Sequence, residues 1–269
     1  MTTEEFIRLD TERLSALSSE QLANMMGNPD LSAYKDKAET TDFSDFFLHP
    51  WTTKAILDPL ITDLPSINIL ELGSGNGANG RTLCRLIDPK PTQHIHLVHL
   101  DLYDKSIEEA ISRNKEFTKA NNNFTYQGIQ ADLRSPTTQK KLIKSLHNQF
   151  NIIFSIKFLH NTPLKVSRKL AEFLSAICSK QGIFVLQCYG DRGWTIEARY
   201  AVKRLLGKGY PNSGFLDRLI ARRLLKAVGF RLVYRSEHRA NSNEAYNHFQ
   251  MKRYDYYFQK QWWIKGVWV

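Results

Sequence analysis

Short apolar runs recur along the chain, separated by polar segments that glycine and proline punctuate. Ile67 to Leu72 is apolar apart from Asn68 and Glu71 and rich in isoleucine and leucine, the pattern of a strand buried on both faces. Similar runs at His94 to Leu100, Phe124 to Gln130, Phe150 to Ser155 and Ile183 to Cys188 predict four more strands. A helix is expected to start near Asn79, and another to run from about Leu164 to Ser179 and stop at Gly182. Farther on, Phe215 to Val228 has helical spacing. Leu219, Leu225 and Val228 lie on one face, with Arg218, Arg222, Arg223 and Lys226 on or beside the other. Gly229 breaks that helix, and strands are expected at Phe230 to Arg235 and near Tyr254 to Lys260.

The first segment reads differently. Thr2 with Glu5 and Ser18 with Gln21 have capping-box spacing, which predicts helices near 3–14 and 19–26. An aromatic-rich stretch from Asp42 to Trp51 then leads into a short helix, Thr52 to Leu60. Residues 1–63 therefore form a helical leader, and 64–269 the α/β body.

Between the first strand and its helix lies the most informative stretch, Glu71-Leu72-Gly73-Ser74-Gly75-Asn76-Gly77-Ala78-Asn79-Gly80. Its glycines allow a sharp turn and close approach of a ligand to the backbone, and the helix behind it presents free N–H groups. Two readings compete. Gly75-x-Gly77-x-x-Gly80 matches the dinucleotide fingerprint literally. In the other frame, the carboxylate of Glu71 precedes Gly73, Gly75 and Gly77, which suits a cofactor bearing an ammonium and repels a pyrophosphate. Asp101, at the end of the second strand, can accept from both ribose hydroxyls in either case.

In the second frame the segment resembles motif I of the class I S-adenosylmethionine-dependent methyltransferases, and the resemblance extends from about residue 64 to 264. Ala131-Asp132-Leu133 is similar to the family's adenine corner, where Asp132 would accept from the exocyclic amine; a local turn cap is the competing role. Phe150-Asn151-Ile152-Ile153-Phe154-Ser155, followed by Leu159-His160, is similar to its fourth strand, with Asn151 in place of the usual Asp. The resemblance implies a Rossmann-like, seven-stranded, mostly parallel sheet with helices on both faces. It implies S-adenosylmethionine as cofactor, held by Glu71, Gly73, Ser74, Gly75, Asn76, Gly77, Asp101, Leu102, Asp132, Leu133 and Ser155. By the same resemblance the leader is a lid over the cofactor, with Tyr34, Phe46, Phe47 and Trp51 facing the acceptor. The rest of the pocket, beyond strands four and five, falls to Asn161, Tyr189, Asp191 and Trp194. His160 is the candidate general base, since imidazole titrates near neutrality. Capping of the following helix is its alternative role, and an amine acceptor needs no strong base.

Composition narrows the picture further. The chain of 269 residues, 42% hydrophobic, is long enough for one large core. No apolar run approaches the ~18 residues of a membrane span, and the acidic start is unlike a signal peptide. Cys84, Cys178 and Cys188 show no metal spacing, so reduced thiols, a cytoplasmic location and no metal are expected. Residues 1–63 hold 12 Asp/Glu against 5 Lys/Arg, whereas the remainder holds 15 against 32, giving the overall +10. Arg199 to Arg239 is the densest basic stretch, with eleven Lys/Arg opposed only by Asp217 and Glu237. Such a surface attracts nucleic acid or anionic lipid; a solvated helix face accounts for it equally. The Trp262 to Trp268 segment reads as the end of a final strand, with a membrane or RNA contact as the alternative.

Missing motifs disfavour some chemistries. Ser155-Ile156-Lys157-Phe158 stands where amide-nitrogen and exocyclic-amine methyltransferases carry Asn/Asp-Pro-Pro-aromatic, and no Pro-Cys pair supplies a cytosine-C5 nucleophile. A small-molecule acceptor is expected. An RNA, protein or membrane substrate, a nicotinamide-dependent oxidoreductase and a silent binding module are the alternatives.

Overall fold

The computed structural model describes residues 57–87, 89–119, 122–155, 158–159, 164–189, 218–239 and 257–265. Strand β1 (Ser66–Leu72) leads through the glycine loop into α1 (Ala78–Ile87). There follow β2 (His94–Asp101), α2 (Asp104–Lys119), β3 (Phe124–Gln130), α3 (Pro136–Leu146) and β4 (Phe150–Ser155). Then come α4 (Leu164–Ile177), β5 (Cys178–Tyr189), α5 (Arg218–Ala227), β6 (Phe230–Arg239) and β7 (Tyr257–Lys265). The sheet order is β3-β2-β1-β4-β5-β7-β6. Parallel pairings join β3 through β5, and β7 is antiparallel to both β5 and β6.

The two-faced burial expected of β1 is present. Ile67 and Ile69 pack with Leu83, Cys84 and Ile87 of α1 on one face, whereas Leu70 and Leu72 join Leu170, Phe173 and Leu174 of α4 on the other. The helical turn at 57–61, the described end of the leader, contributes Leu57 and Ile61 to the first of these cores. Buried Gln93 ties it there, its Nε2 donating to the carbonyls of Ile61 at 2.8 Å and Leu64 at 2.9 Å. Asn151 accepts at 2.8 Å from the amide of Asn68 at the entrance of β4, far from the strands' carboxyl ends. The rest of the leader, including the expected lid, lies outside the described residues.

Several boundaries differ from the sequence reading, β6 for instance running to Arg239. Helix α4 ends at Ile177, and β5 begins at Cys178, which pairs with Phe150 across a bulge before Ile183 resumes register with Ile152. Gly182 therefore lies within the strand, where a Cβ would come within 2.7 Å of Cys178 Sγ and 2.9 Å of the Phe150 carbonyl. The last strand ends at Lys265, not Lys260, and carries Trp262 and Trp263, the latter fully buried. Residues 262–265 of that segment thus belong to the final strand, and 266–268 lie outside the described residues. Lys265 anchors the strand by donating to the carbonyls of Ser175 in the last turn of α4 and, at 2.7 Å, of Cys178, the first residue of β5.

On α5, Ala221 and Leu225 are buried against the core while Arg222, Arg223 and Lys226 are exposed, the solvated face of an amphipathic helix. Residues 199–217 of the basic stretch, Phe215 among them, lie outside the described residues. Cys84 and Cys178 are free and buried, and burial pushes both thiols well above their ordinary value, leaving them protonated. Among the described residues no helix is long and apolar enough to cross a membrane.

Candidate functional site

The carboxyl ends of β1, β2 and β3 lie side by side, the edge at which open α/β sheets bind ligands. Gly73, Gly75 and Gly77 have φ of +66°, +51° and +74°, a region that a Cβ strongly disfavours. Around Gly73 the space is also full, since a Cβ there would come within 2.4 Å of the Phe158 ring. Gly75 is the opposite case: among the described residues nothing lies within 4 Å of where its Cβ would be, so there the loop's crest borders open space. The amides of Gly73 and Ser74 donate to the Leu100 carbonyl at 2.8 and 3.3 Å, which hangs the loop on β2.

Asp101 holds the crest. Its Oδ2 accepts from the Gly75 amide at 2.9 Å and its Oδ1 from the Tyr103 amide at 3.1 Å. Burial raises the pKa of this carboxyl, although backbone donors at Gly75, Tyr103 and Leu102 pull the other way. At the end of β3, Asp132 meets Arg134 in a fork, with Nη2 at 2.7 Å from Oδ2 and Nε at 2.9 Å from Oδ1. The Arg134 amide also donates to Oδ1 at 2.9 Å, which is the local turn cap considered for Asp132. Burial raises its pKa, but the Arg134 hydrogen bonds and charge outweigh it and hold Asp132 below the ordinary carboxylate value. Among the described residues the buried hydroxyl of Tyr103 has no hydrogen-bond partner, and burial and the Asp101 charge raise its pKa.

The decisive feature of the topology is at the far edge of the sheet. A dinucleotide-binding sheet continues with a sixth parallel strand beside β5, whereas here antiparallel β7 is inserted between β5 and β6. No protein-family model and no curated protein matches the sequence, but solved structures match the fold. A phosphoethanolamine N-methyltransferase 2 from Haemonchus contortus, complexed with phosphomonomethylethanolamine and S-adenosylhomocysteine, is 12% identical with a TM-score of 0.54 over 94% of this chain and 61% of that one. A methyltransferase assigned as putative in Bacillus halodurans is 13% identical, with a TM-score of 0.51 over 80% of this chain and all of that one. Magnesium protoporphyrin IX methyltransferase from Synechocystis, with S-adenosylhomocysteine bound, is 14% identical with a TM-score of 0.50 over 81% and 84%. The chain has the class I S-adenosylmethionine-dependent methyltransferase fold.

Within this methyltransferase fold, the expected cofactor residues divide into two sets. Gly73, Ser74, Gly75, Asn76, Gly77, Asp101, Leu102 and Asp132 gather on the loop and the neighbouring strand ends. Ser74 Oγ and Asn76 Nδ2 are buried there without a hydrogen-bond partner among the described residues. The other three point into the protein. Glu71 is 2% exposed, with Oε2 at 2.9 Å from His99 Nδ1. Leu133 belongs to the core, and Ser155 is fully buried, its hydroxyl accepting from the Leu159 amide at 3.4 Å.

Tyr189 closes β5, its backbone in register with Phe258. His160, Asn161, Asp191, Trp194, Tyr34, Phe46, Phe47 and Trp51 lie outside the described residues. Sequence reasoning passed over His99, Tyr103, Arg134 and Phe158. His99 could have been found as the polar interruption on the Ile95, Leu97 face of β2, and Arg134 by its two-residue spacing from Asp132. Nothing in the sequence brings Phe158 onto Gly73.

Proposed function

We propose that this protein is an S-adenosylmethionine-dependent methyltransferase acting on an oxygen or nitrogen of a small molecule. The single observation that carries the reading is the Gly75 amide bound to Asp101 Oδ2 at 2.9 Å beside open space. It sets a left-handed glycine crest and a buried carboxylate together at the ligand-binding edge of the sheet. The donor set fits an adenosyl sulfonium with an amino-acid tail. Asp101 can take the ribose hydroxyls and Asp132 the adenine amine, while Ser74 and Asn76 offer the unpartnered Oγ and Nδ2. The Asp101 carboxylate beside Gly75 suits a cation and disfavours the pyrophosphate of a dinucleotide. A small-molecule acceptor is supported by two of the proteins sharing the fold, whose names give phosphoethanolamine and magnesium protoporphyrin IX as theirs.

Bound at this edge, the cofactor supplies an activated methyl group on sulfur. The protein's own part is to align the acceptor, exclude water and, for a hydroxyl acceptor, take its proton. His160 is the residue we assign to that proton, and Tyr34, Phe46, Phe47, Trp51, Asn161, Tyr189, Asp191 and Trp194 to the acceptor pocket, with 1–63 as its lid. Calorimetric titration with S-adenosylmethionine, S-adenosylhomocysteine and NAD, repeated on Asp101→Ala, tests the reading. Binding of the first two, lost in the variant, is the expected result; binding of NAD alone overturns it.

A further inference from the structure

Glu71 sits where an acidic residue is expected to serve the cofactor, yet its carboxylate is turned under the loop. Its Oε2 lies 2.9 Å from His99 Nδ1, and His99 Nε2 lies 2.6 Å from Asn114 Nδ2 on α2. All three side chains are buried, at 2%, 0% and 0% exposure. Both ring nitrogens of His99 are thereby engaged, Nδ1 by the Glu71 carboxylate, which can only accept, and Nε2 by the Asn114 amide. The ring also reaches the loop. His99 Cε1 would be 2.8 Å from a Cβ at Gly77 and 3.1 Å from one at Gly80, so its edge fills the space that both glycines leave.

Strand β2 therefore grips the glycine loop at two places. Asp101 takes the amide of Gly75 from the ligand side, and two residues earlier, on the same strand face, the His99 ring lies against Gly77 from below. The turn into α1 is fixed around that second grip. Gly77 accepts from the Arg81 amide at 3.2 Å, and Arg81 Nη1 donates to the Asn76 carbonyl at 2.9 Å. We propose that His99 is a positioning residue for the cofactor loop, and that Glu71 and Asn114 act on the ligand only through it, by holding its ring against Gly77. The proposal rests on the methyltransferase reading and replaces the direct contact expected of Glu71.

The test uses the full-length protein and S-adenosylhomocysteine as probe. In the wild type, the ring Nδ1–H resonance of His99 is followed by 15N-edited NMR during saturation, with His94 and His96 at the entrance of the same strand as internal references. Calorimetry is then run on His99→Gln, His99→Phe, Glu71→Gln and Cys84→Ala. We expect the His99 signal to move on saturation while the two references do not. Both His99 variants should lose about tenfold or more in affinity, the worth of roughly one good hydrogen bond. Glu71→Gln should keep most of it, because the amide oxygen still accepts from Nδ1–H. Cys84→Ala, in the same core, should lower Tm and leave affinity unchanged. A His99 resonance that stays still at saturation, or a folded His99 variant binding within twofold of wild type, overturns the proposal and leaves the cofactor reading intact. If the His99 variants do not fold, the wild-type resonance and Glu71→Gln decide it. Failure of the wild type to bind the probe sinks the cofactor reading and this proposal together.

Discussion

Two carboxylates stand at the ends of adjacent strands, Glu71 on β1 and Asp101 on β2, and they have come to opposite uses. Glu71 faces α1 and spends Oε2 on a side chain, His99, in a sealed layer beneath the loop. Asp101 takes only backbone amides, and the one at Gly75 belongs to a residue bordering open space. An acidic residue beside a glycine loop is therefore not by position a ligand residue. What it accepts from, and which face of the strand carries it, decides whether its loss is felt in binding or in folding.

The sharpest break in that comparison comes from deleting each carboxylate. Asp101→Ala should lower S-adenosylhomocysteine affinity roughly 100-fold, about the worth of one strong hydrogen bond to a charged group, with a small change in Tm. Glu71→Leu should chiefly destabilise the fold, by about 1–3 kcal/mol, because the buried His99 Nδ1–H loses its acceptor, and should reach binding only through the released His99 ring; calorimetry and thermal melts on both variants separate the two effects. Next are the glycines. Gly73→Ala combines a left-handed φ with overlap of the Phe158 ring and should cost about 2–4 kcal/mol, whereas Gly75→Ala has only the backbone term, about 1–2 kcal/mol. Equal losses of stability in urea melts would contradict the open crest.

Acidity sharpens the contrast from another side. Because burial raises the pKa of Asp101, its contribution to stability is fully present below its unfolded pKa and is lost as pH rises through the raised folded value. Ligand affinity runs the other way, falling once Asp101 is protonated, and should begin to drop above the ordinary carboxylate range in titrations from pH 7 downward. Asp132 has the reverse sign. Its pKa is lowered, with Arg134 overcoming burial, so its stabilisation is present above the unfolded pKa and is lost as pH falls through the folded one. Arg134→Gln should remove this smallest effect, well under 1 kcal/mol for a partly exposed pair, seen as a stability difference at pH 7 that closes below about pH 4.

The strands of the parallel sheet were legible because their side chains carry the signal themselves. The runs opening at His94, Phe124 and Phe150 begin where the strands begin. The glycine loop was equally plain, since φ near +60° leaves few residue types to choose from. Two things were not. Cys178 to Gly182 carries no apolar run, and its pairing with Phe150 across a bulge comes from the sheet, not from local preference. His99 was hidden for a related reason. Its partners, Glu71 and Asn114, are 28 and 15 residues away, so only the folded chain shows that the loop is propped from beneath.

The place of β7 also dictates an order of events during synthesis. Five parallel strands can assemble as the chain emerges, but β6 has no described neighbour until β7 arrives to lie between it and β5. Until then β5 presents a bare edge flanked by Ile183, Phe184, Val185 and Leu186, a template for wrong pairing with other chains. The Lys265 ammonium, clasping the carbonyls where α4 passes into β5, is then the fastening that ends this exposure. Ribosome-stalled or truncated chains lacking 257–265 should aggregate through that edge.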